Sequence, residues 1–175
     1  MKTVVALGDL HCGHIAGLTP PDWQSSKGIG KSQKEAWNHY LGFINKYKSP
    51  DLLIVNGDAL DGKGTRSGGT ELITNDMFEQ VEMAYEALKL WKAKKIVLTY
   101  GTAYHVSPDG EDFELALSEK LGGEIHSHAF IDVDNITLDV KHYIGSSSVP
   151  WSRGTAVSKE RVQNMLWAEQ GQQPK

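Results

Sequence analysis

Cysteine is almost absent from this sequence, whose 175 residues include only Cys12. One cysteine cannot form an intrachain disulfide, which excludes the disulfide-stapled class of small secreted domains. Met1 and Lys2 lead directly into a short apolar run without the pattern of a secretory signal. We therefore expect a cytoplasmic protein. We also expect Cys12 to be a packed apolar residue, with metal ligation as the alternative.

The sequence also lacks an excess of positive charge and a long apolar stretch. Its 18 Lys and Arg residues stand against 22 Asp and Glu residues, which gives a formal net charge of −4. Overall charge therefore does not attract the protein to a nucleic-acid backbone, although a metal site could still cut nucleic acid. No apolar stretch approaches the length of a membrane-spanning helix, so we expect no membrane partner.

Short apolar runs alternate with helical patterns along the whole chain. Runs rich in β-branched residues at 3–7, 52–55 and 96–100 are typical of strands, and each ends in glycine and polar residues. The length suits one domain covering residues 1–175, which should bury about two-thirds of its unfolded surface. These features predict a single α/β domain.

Apolar residues spaced three and four apart predict the helices between and after these runs. The four predicted helices cover roughly residues 37–47, 78–92, 113–121 and 158–167. The third ends at Gly122 and Gly123, which is a typical helix stop. Two strand-like segments, 128–133 and 135–144, follow each other so closely that we expect antiparallel neighbours.

Two irregular stretches rich in glycine follow the first two predicted strands. They cover residues 13–30 and 62–69. Loops that follow strands often carry binding and catalytic groups because the scaffold holds their ends. Each of these loops is either a substrate lid or a solvated surface loop, and the sequence leaves both interpretations open.

Carboxylate and imidazole side chains follow two of the predicted strands. Asp9 and His11 stand two residues apart directly after the first apolar run, and Asp58 follows the second run in the same Gly-Asp arrangement. Ligands in open α/β sheets gather at the carboxyl ends of the strands. Oxygen and imidazole donors together suit manganese, iron, zinc or magnesium. These residues therefore predict a metal centre.

Two further blocks place histidines near strand ends. One is the segment 100–105, which contains Thr102 and His105, and the other is the segment 139–145, which contains His142. Together with the first two blocks, they describe a site whose side chains come from four separate parts of the chain.

At these blocks the chain resembles the calcineurin-like metallophosphoesterase family. The family's blocks read roughly G-D-x-H, G-D-x-x-D, G-N-H-[DE], a His before Gly, and a closing G-H-x-H. The resemblance implies a four-layer α/β/β/α sandwich, two divalent metal ions with manganese favoured, and a phosphoester substrate. It further implies that Asp9 and His11 hold the first metal, Asp58 bridges both metals, and His142 holds the second.

The third block departs from the family pattern. Thr102 stands where the family has an Asn ligand, and His105 comes three residues later instead of at once. A hydroxyl is a poorer ligand than an amide carbonyl, so metal ligation by Thr102 remains open. His105 is the candidate for protonating the leaving alkoxide, because a histidine titrates near neutral pH. The alternative is a surface histidine.

The closing G-H-x-H block is absent after Trp167. His126 and His128 have the H-x-H spacing but precede the fourth block, which favours ordinary strand histidines. We therefore expect that the chain is a C-terminally truncated form of a longer protein. The uncovered apolar surface would then favour self-association.

The resemblance leads to a functional hypothesis with one alternative. We expect a metallophosphoesterase, a phosphatase or a phosphodiesterase such as a nuclease, whose two-metal centre activates a water for attack on phosphorus. The alternative is a family member without activity that serves as a protein-binding scaffold.

Overall fold

A computed structural model describes residues 2–64, 68–102 and 112–171. Its strands are β1 (Val4–Leu7), β2 (Leu52–Asn56), β3 (Lys95–Thr99), β4 (Glu124–His126), β5 (Ala129–Val133) and β6 (Ile136–Val140). Its α-helices are α1 (Gly30–Tyr47), α2 (Met77–Leu88), α3 (Phe113–Leu121) and α4 (Thr155–Glu169). None of the helices in these ranges has the length and apolar character to cross a bilayer.

The first four strands form one parallel sheet in the order β1-β2-β3-β4. Parallel neighbours require crossover connections, which here contain α1, α2 and α3 in turn. The register pairs Leu7 with Val55, and Asn56 with Thr99. The strands therefore end side by side, and the loops that follow them begin at one edge of the sheet.

The alternation of side chains along β2 divides the core in two. Leu53 and Val55 pack with the helices, whereas Leu52 and Ile54 face the opposite side of the sheet. All four are buried because both faces of this strand are covered.

The helical side of the sheet holds the larger apolar cluster. Trp91 lies at its centre and donates a hydrogen bond of 2.8 Å from Nε1 to the Tyr40 hydroxyl, which in turn donates to the Ala87 carbonyl oxygen at 3.0 Å. The polar atoms of these two aromatic side chains are therefore satisfied inside the core.

The other face of the sheet is covered by an antiparallel hairpin of β5 and β6. Ala129, Ile131 and Leu138 of the hairpin pack against Leu52 and Ile54 of β2. Helices, a parallel sheet and a hairpin thus follow one another as layers. The structure confirms the predicted α/β class.

Helix α4 contacts the hairpin through polar and aromatic side chains. Asn164 bonds to Asp139, Lys141 pairs with Glu160 at 3.5 Å, and the Trp167 ring centroid lies 6.4 Å from that of His128. None of the residues of α4 is buried. The helix therefore adds little apolar packing to the core.

The structure contains one strand that the sequence does not predict and moves several element boundaries, among them the end of α2, which lies at Leu88 and not near position 92. The strand β4 has only three residues, too short for a recognisable alternation. Helix α1 begins at Gly30, earlier than its apolar stripe. Strand β6 ends at Val140, so that His142 lies in the loop after the strand and not within it.

Candidate metal centre

Three of the four predicted metal ligands come together at the carboxyl edge of the parallel sheet. Asp9 follows β1, Asp58 follows β2 and His142 follows β6. One ligand atom from each of these residues lies within 4.8 Å of the other two. Side chains from distant parts of the chain thus share a space small enough for one metal ion.

Asp58 is the buried member of the group, with 4% of its surface exposed. Its Oδ1 accepts a hydrogen bond of 2.7 Å from the Thr102 backbone N–H, and its Oδ2 lies 3.1 Å from His142 Nε2. A buried carboxylate needs such partners because desolvation of its charge is costly. Gly101 leaves room for it, since a Cβ there would lie 2.1 Å from Asp58 Oδ1.

The His142 ring is oriented by the backbone at the end of β2. Its Nδ1 lies 2.7 Å from the Asn56 carbonyl oxygen, so Nδ1 carries the proton and donates it. This bond directs Nε2 toward Asp58. Gly57 permits the close approach, because a Cβ at that position would lie 2.2 Å from His142 Cγ.

His11 lies beside the group. Its Nε2 is 3.9 Å from Asp9 Oδ1, and its Nδ1 is 3.0 Å from Asp61 Oδ1. A carboxylate behind a ligating histidine fixes the ring orientation and makes the other nitrogen more basic. Asp61 belongs to the second sequence block, but its role as the partner of His11 emerges only from the structure.

The backbone at the candidate ligands is unusual. Asp9, His11 and Asp58 have φ values of 54°, 46° and 49°, in the left-handed region that non-glycine residues rarely adopt. Hydrogen bonds between the two loops hold this conformation: Asp9 N donates to Gly57 O at 3.2 Å, and His11 N donates to Asp58 O at 2.9 Å. Strained residues that the surrounding structure fixes in place cluster at functional sites.

Gln80 of α2 supports the second block from inside the core, where it is fully buried. Its Oε1 accepts from the backbone N–H groups of Asp61 and Gly62, and its Nε2 donates to the carbonyl oxygens of Gly62 and Thr74. These bonds fix the turn that carries Asp61. No sequence pattern indicates this role, because Gln80 resembles any other polar residue in a helix.

Glu114 of α3 is a second residue that the sequence did not indicate. It is 5% exposed and accepts a hydrogen bond of 3.1 Å from the Gly101 backbone N–H. Burial raises the pKa of Glu114 to about 7, the Gly101 bond opposes the shift, and the negative charge of Asp58 adds to it. The hydrogen bond to Gly101 holds this acidic side chain behind the loop that follows β3.

The remaining candidates lie elsewhere. His105, the predicted proton donor, falls outside the described residues. His126 pairs with Glu124 at 3.5 Å and His128 with Asp139 at 2.6 Å, so neither belongs to the metal-ligand group. Cys12 is fully buried, and burial raises the pKa of its thiol to about 12, which agrees with a packed apolar role.

The donor set fits a divalent cation of the first transition row or magnesium. Two carboxylates supply hard oxygen ligands, and His142 supplies a borderline imidazole nitrogen that is already oriented by its second nitrogen. Asp9 is the accessible member, since 70% of its side chain is exposed. The centre can therefore be reached by a ligand from solvent.

Comparison of the sequence with protein-family models and with curated proteins gave no match. The arrangement of side chains at the sheet edge and the sequence blocks therefore carry the functional argument.

Proposed function

We propose that this protein is a metal-dependent phosphoester hydrolase similar to the calcineurin-like metallophosphoesterases. The main observation in support is the convergence of Asp9, Asp58 and His142 at the carboxyl edge of the parallel sheet. These residues come from three of the sequence blocks that resemble the family. Three non-glycine residues with left-handed backbone conformations in one cluster are costly for stability, which favours a functional role for the cluster.

The residues would divide between two cations, with manganese favoured. Asp9 and His11 would hold the first, Asp58 would contact both, and His142 would hold the second, while ligation by Thr102 stays open. Bound cations would supply positive charge that lowers the pKa of a water and stabilises the phosphoryl oxygens.

Other residues of the chain have supporting roles in this proposal. Asp61 holds the His11 ring through Nδ1, and the Asn56 carbonyl oxygen does the same for His142. His105 is the proposed donor of a proton to the leaving oxygen, because histidine exchanges protons near neutral pH.

We propose a four-layer α/β/β/α sandwich, with α4 as the outer helical layer over the hairpin; the contacts of Asn164 and Glu160 support this placement. We also propose a cytoplasmic location, in line with the single cysteine.

Hydrolysis of aryl phosphoesters with added manganese tests the function. We expect turnover by the wild type and loss of at least about a hundredfold in Asp58→Ala, because metal electrostatics contribute several kcal/mol to the transition state. Asp22→Ala, which removes an exposed carboxylate, is the matched control and should keep full activity. Asp61→Ala should lose less than Asp58→Ala, since Asp61 acts through His11.

Parallel assays with monoesters and diesters would separate a phosphatase from a phosphodiesterase or nuclease. Equal turnover by the wild type and Asp58→Ala would contradict the proposal. It would favour the alternative that the protein is a scaffold without activity, which the replacement of the family's Asn by Thr102 also permits.

A further inference from the structure

A cleft of about 440 Å³ opens beside the candidate metal centre. Asp9 and His11 line it, and so does Ala36 of helix α1. A ligand that contacts Asp9 would therefore extend into this cleft. Its volume lies within the range of small-molecule sites, and roughly 150 Å³ is enough to hold a benzene ring.

The described residues that line this cleft form a largely apolar wall, and none of them is Lys or Arg. Leu10, Ala16, Leu18 and Ala36 contribute to it. A substrate group that carries further phosphates would find no cationic partner among these described residues. An uncharged organic group would remove the apolar wall from water, which is favourable.

His14 also lines the cleft, but both of its ring nitrogens have protein neighbours. Its Nδ1 accepts a hydrogen bond of 3.1 Å from the Ala16 backbone N–H, so the proton of the neutral ring lies on Nε2. The distance from Nε2 to Glu71 Oε2 is 3.8 Å, which is longer than a hydrogen bond. Nε2 still lies toward the Glu71 carboxylate, which does not line the cleft.

We propose that this cleft binds the organic group of the substrate, and that the substrate is a phosphoester of an uncharged, ring-bearing alcohol. The inference rests on the proposed function and adds the substrate class. Apolar contact with the wall selects the ring. Polyphosphates and long nucleic acids are disfavoured as substrates because none of the described residues in the cleft wall is cationic.

The test narrows the cleft without touching the metal ligands. Ala36 is exposed on α1, so Ala36→Phe adds a ring in the cleft without disturbing the core. Asn38→Phe is the matched control, because position 38 is exposed on the same helix but does not line the cleft. Phenyl and methyl phosphoesters, each as monoester and diester, are assayed with manganese.

We expect Ala36→Phe to raise KM for the phenyl ester by at least about tenfold, because the ring loses its buried surface. The methyl ester should change by less than about twofold, and Asn38→Phe should resemble the wild type with both.

Two results would contradict the inference while leaving the proposed function intact. One is an equal change of KM for phenyl and methyl esters in Ala36→Phe, and the other is no change for either. If the wild type hydrolysed none of the four esters, the proposed function would fail and the substrate assignment with it.

Discussion

Gly57 and Gly101 show how single residues determine the geometry of the centre. Each stands where a Cβ would collide with a candidate ligand, the His142 ring in one case and the Asp58 carboxylate in the other. Gly57 also has a φ of 71°, which disfavours any other residue type. The glycines of the sequence blocks therefore contribute to ligand placement as directly as the ligands themselves.

We expect Gly57→Ala to lower the free energy of unfolding by more than Gly122→Ala. Both residues have similar φ values, 71° and 66°, but a Cβ meets no atom within 4 Å at Gly122. The left-handed conformation costs alanine roughly 1–2 kcal/mol at either site. Displacement of His142 should add roughly 1–3 kcal/mol at Gly57 alone.

Urea unfolding of the two variants measures this difference. Gly57→Ala should also bind manganese more weakly, whereas Gly122→Ala should bind it like the wild type. Equal destabilisation and equal manganese affinity in the two variants would show that the His142 ring does not lie against Gly57.

The helix α3 is tied to the loop after β3 by one buried carboxyl group. Glu114 accepts from the Gly101 backbone N–H, and Gly101 in turn lies against Asp58. The position of a helix thus influences the position of a candidate metal ligand through two contacts. Because the Glu114 carboxyl group is buried, its ionisation also makes the stability of the folded state depend on pH.

In the presence of a chelator, we expect the free energy of unfolding to fall as pH rises from about 4.5 to about 7. Burial raises the pKa of Glu114 from 4.5 to about 7, so the folded state binds the proton more tightly than the unfolded state. The stabilisation is complete below the unfolded pKa and is lost as the pH passes through the folded pKa. Glu114→Gln should reduce this slope because it cannot ionise.

Unfolding in urea at several pH values provides the measurement. Glu119→Gln, which removes an exposed carboxyl group of the same helix, should keep the slope of the wild type. If Glu114→Gln kept the slope as well, Glu114 would not be the group that titrates.

Periodic elements are the part of this fold that the sequence predicts well. The helix α2 and the glycine stop of α3 lie close to where the sequence predicts them, although α2 ends at Leu88 and leaves Phe78 69% exposed. The strand β4 could not be predicted, because three residues are too few to show the alternation of a strand. Asp9, Asp58 and His142 could be found from their positions near strand ends. Glu114 and Gln80 could not, because their contacts exist only after the helices pack.

At the scale of the whole molecule, the main core and the C-terminal segment differ in packing. Both faces of the parallel sheet are covered, by helices and by the hairpin. The residues after the hairpin instead leave apolar side chains in solvent, among them Trp151 at 88%, Val157 at 63%, Val162 at 55% and Met165 at 56% exposed. Apolar surface of this kind favours association.

We expect the protein to self-associate through this segment, with a mass in sedimentation equilibrium that rises with concentration. Val162→Lys combined with Met165→Lys should lower the association constant by at least about tenfold, because both side chains lie on one face of α4 and would bring charge into the contact. Gln163→Lys adds charge at an exposed polar position and serves as the control. A monomeric wild type at all concentrations would contradict this expectation.

Anomalous diffraction from crystals grown with manganese is the sharpest test of the proposed metal centre, because it locates the metal independently of any substrate. We expect a strong manganese peak between Asp9, Asp58 and His142. The distances from the metal to the oxygen and nitrogen ligands should be about 2.1–2.2 Å, as is typical of divalent first-row metal ions. Asp58→Ala crystals should lose this peak. Manganese bound only at other acidic surface positions, with no density among these three side chains, would contradict the proposed metal centre and the hydrolase assignment built on it.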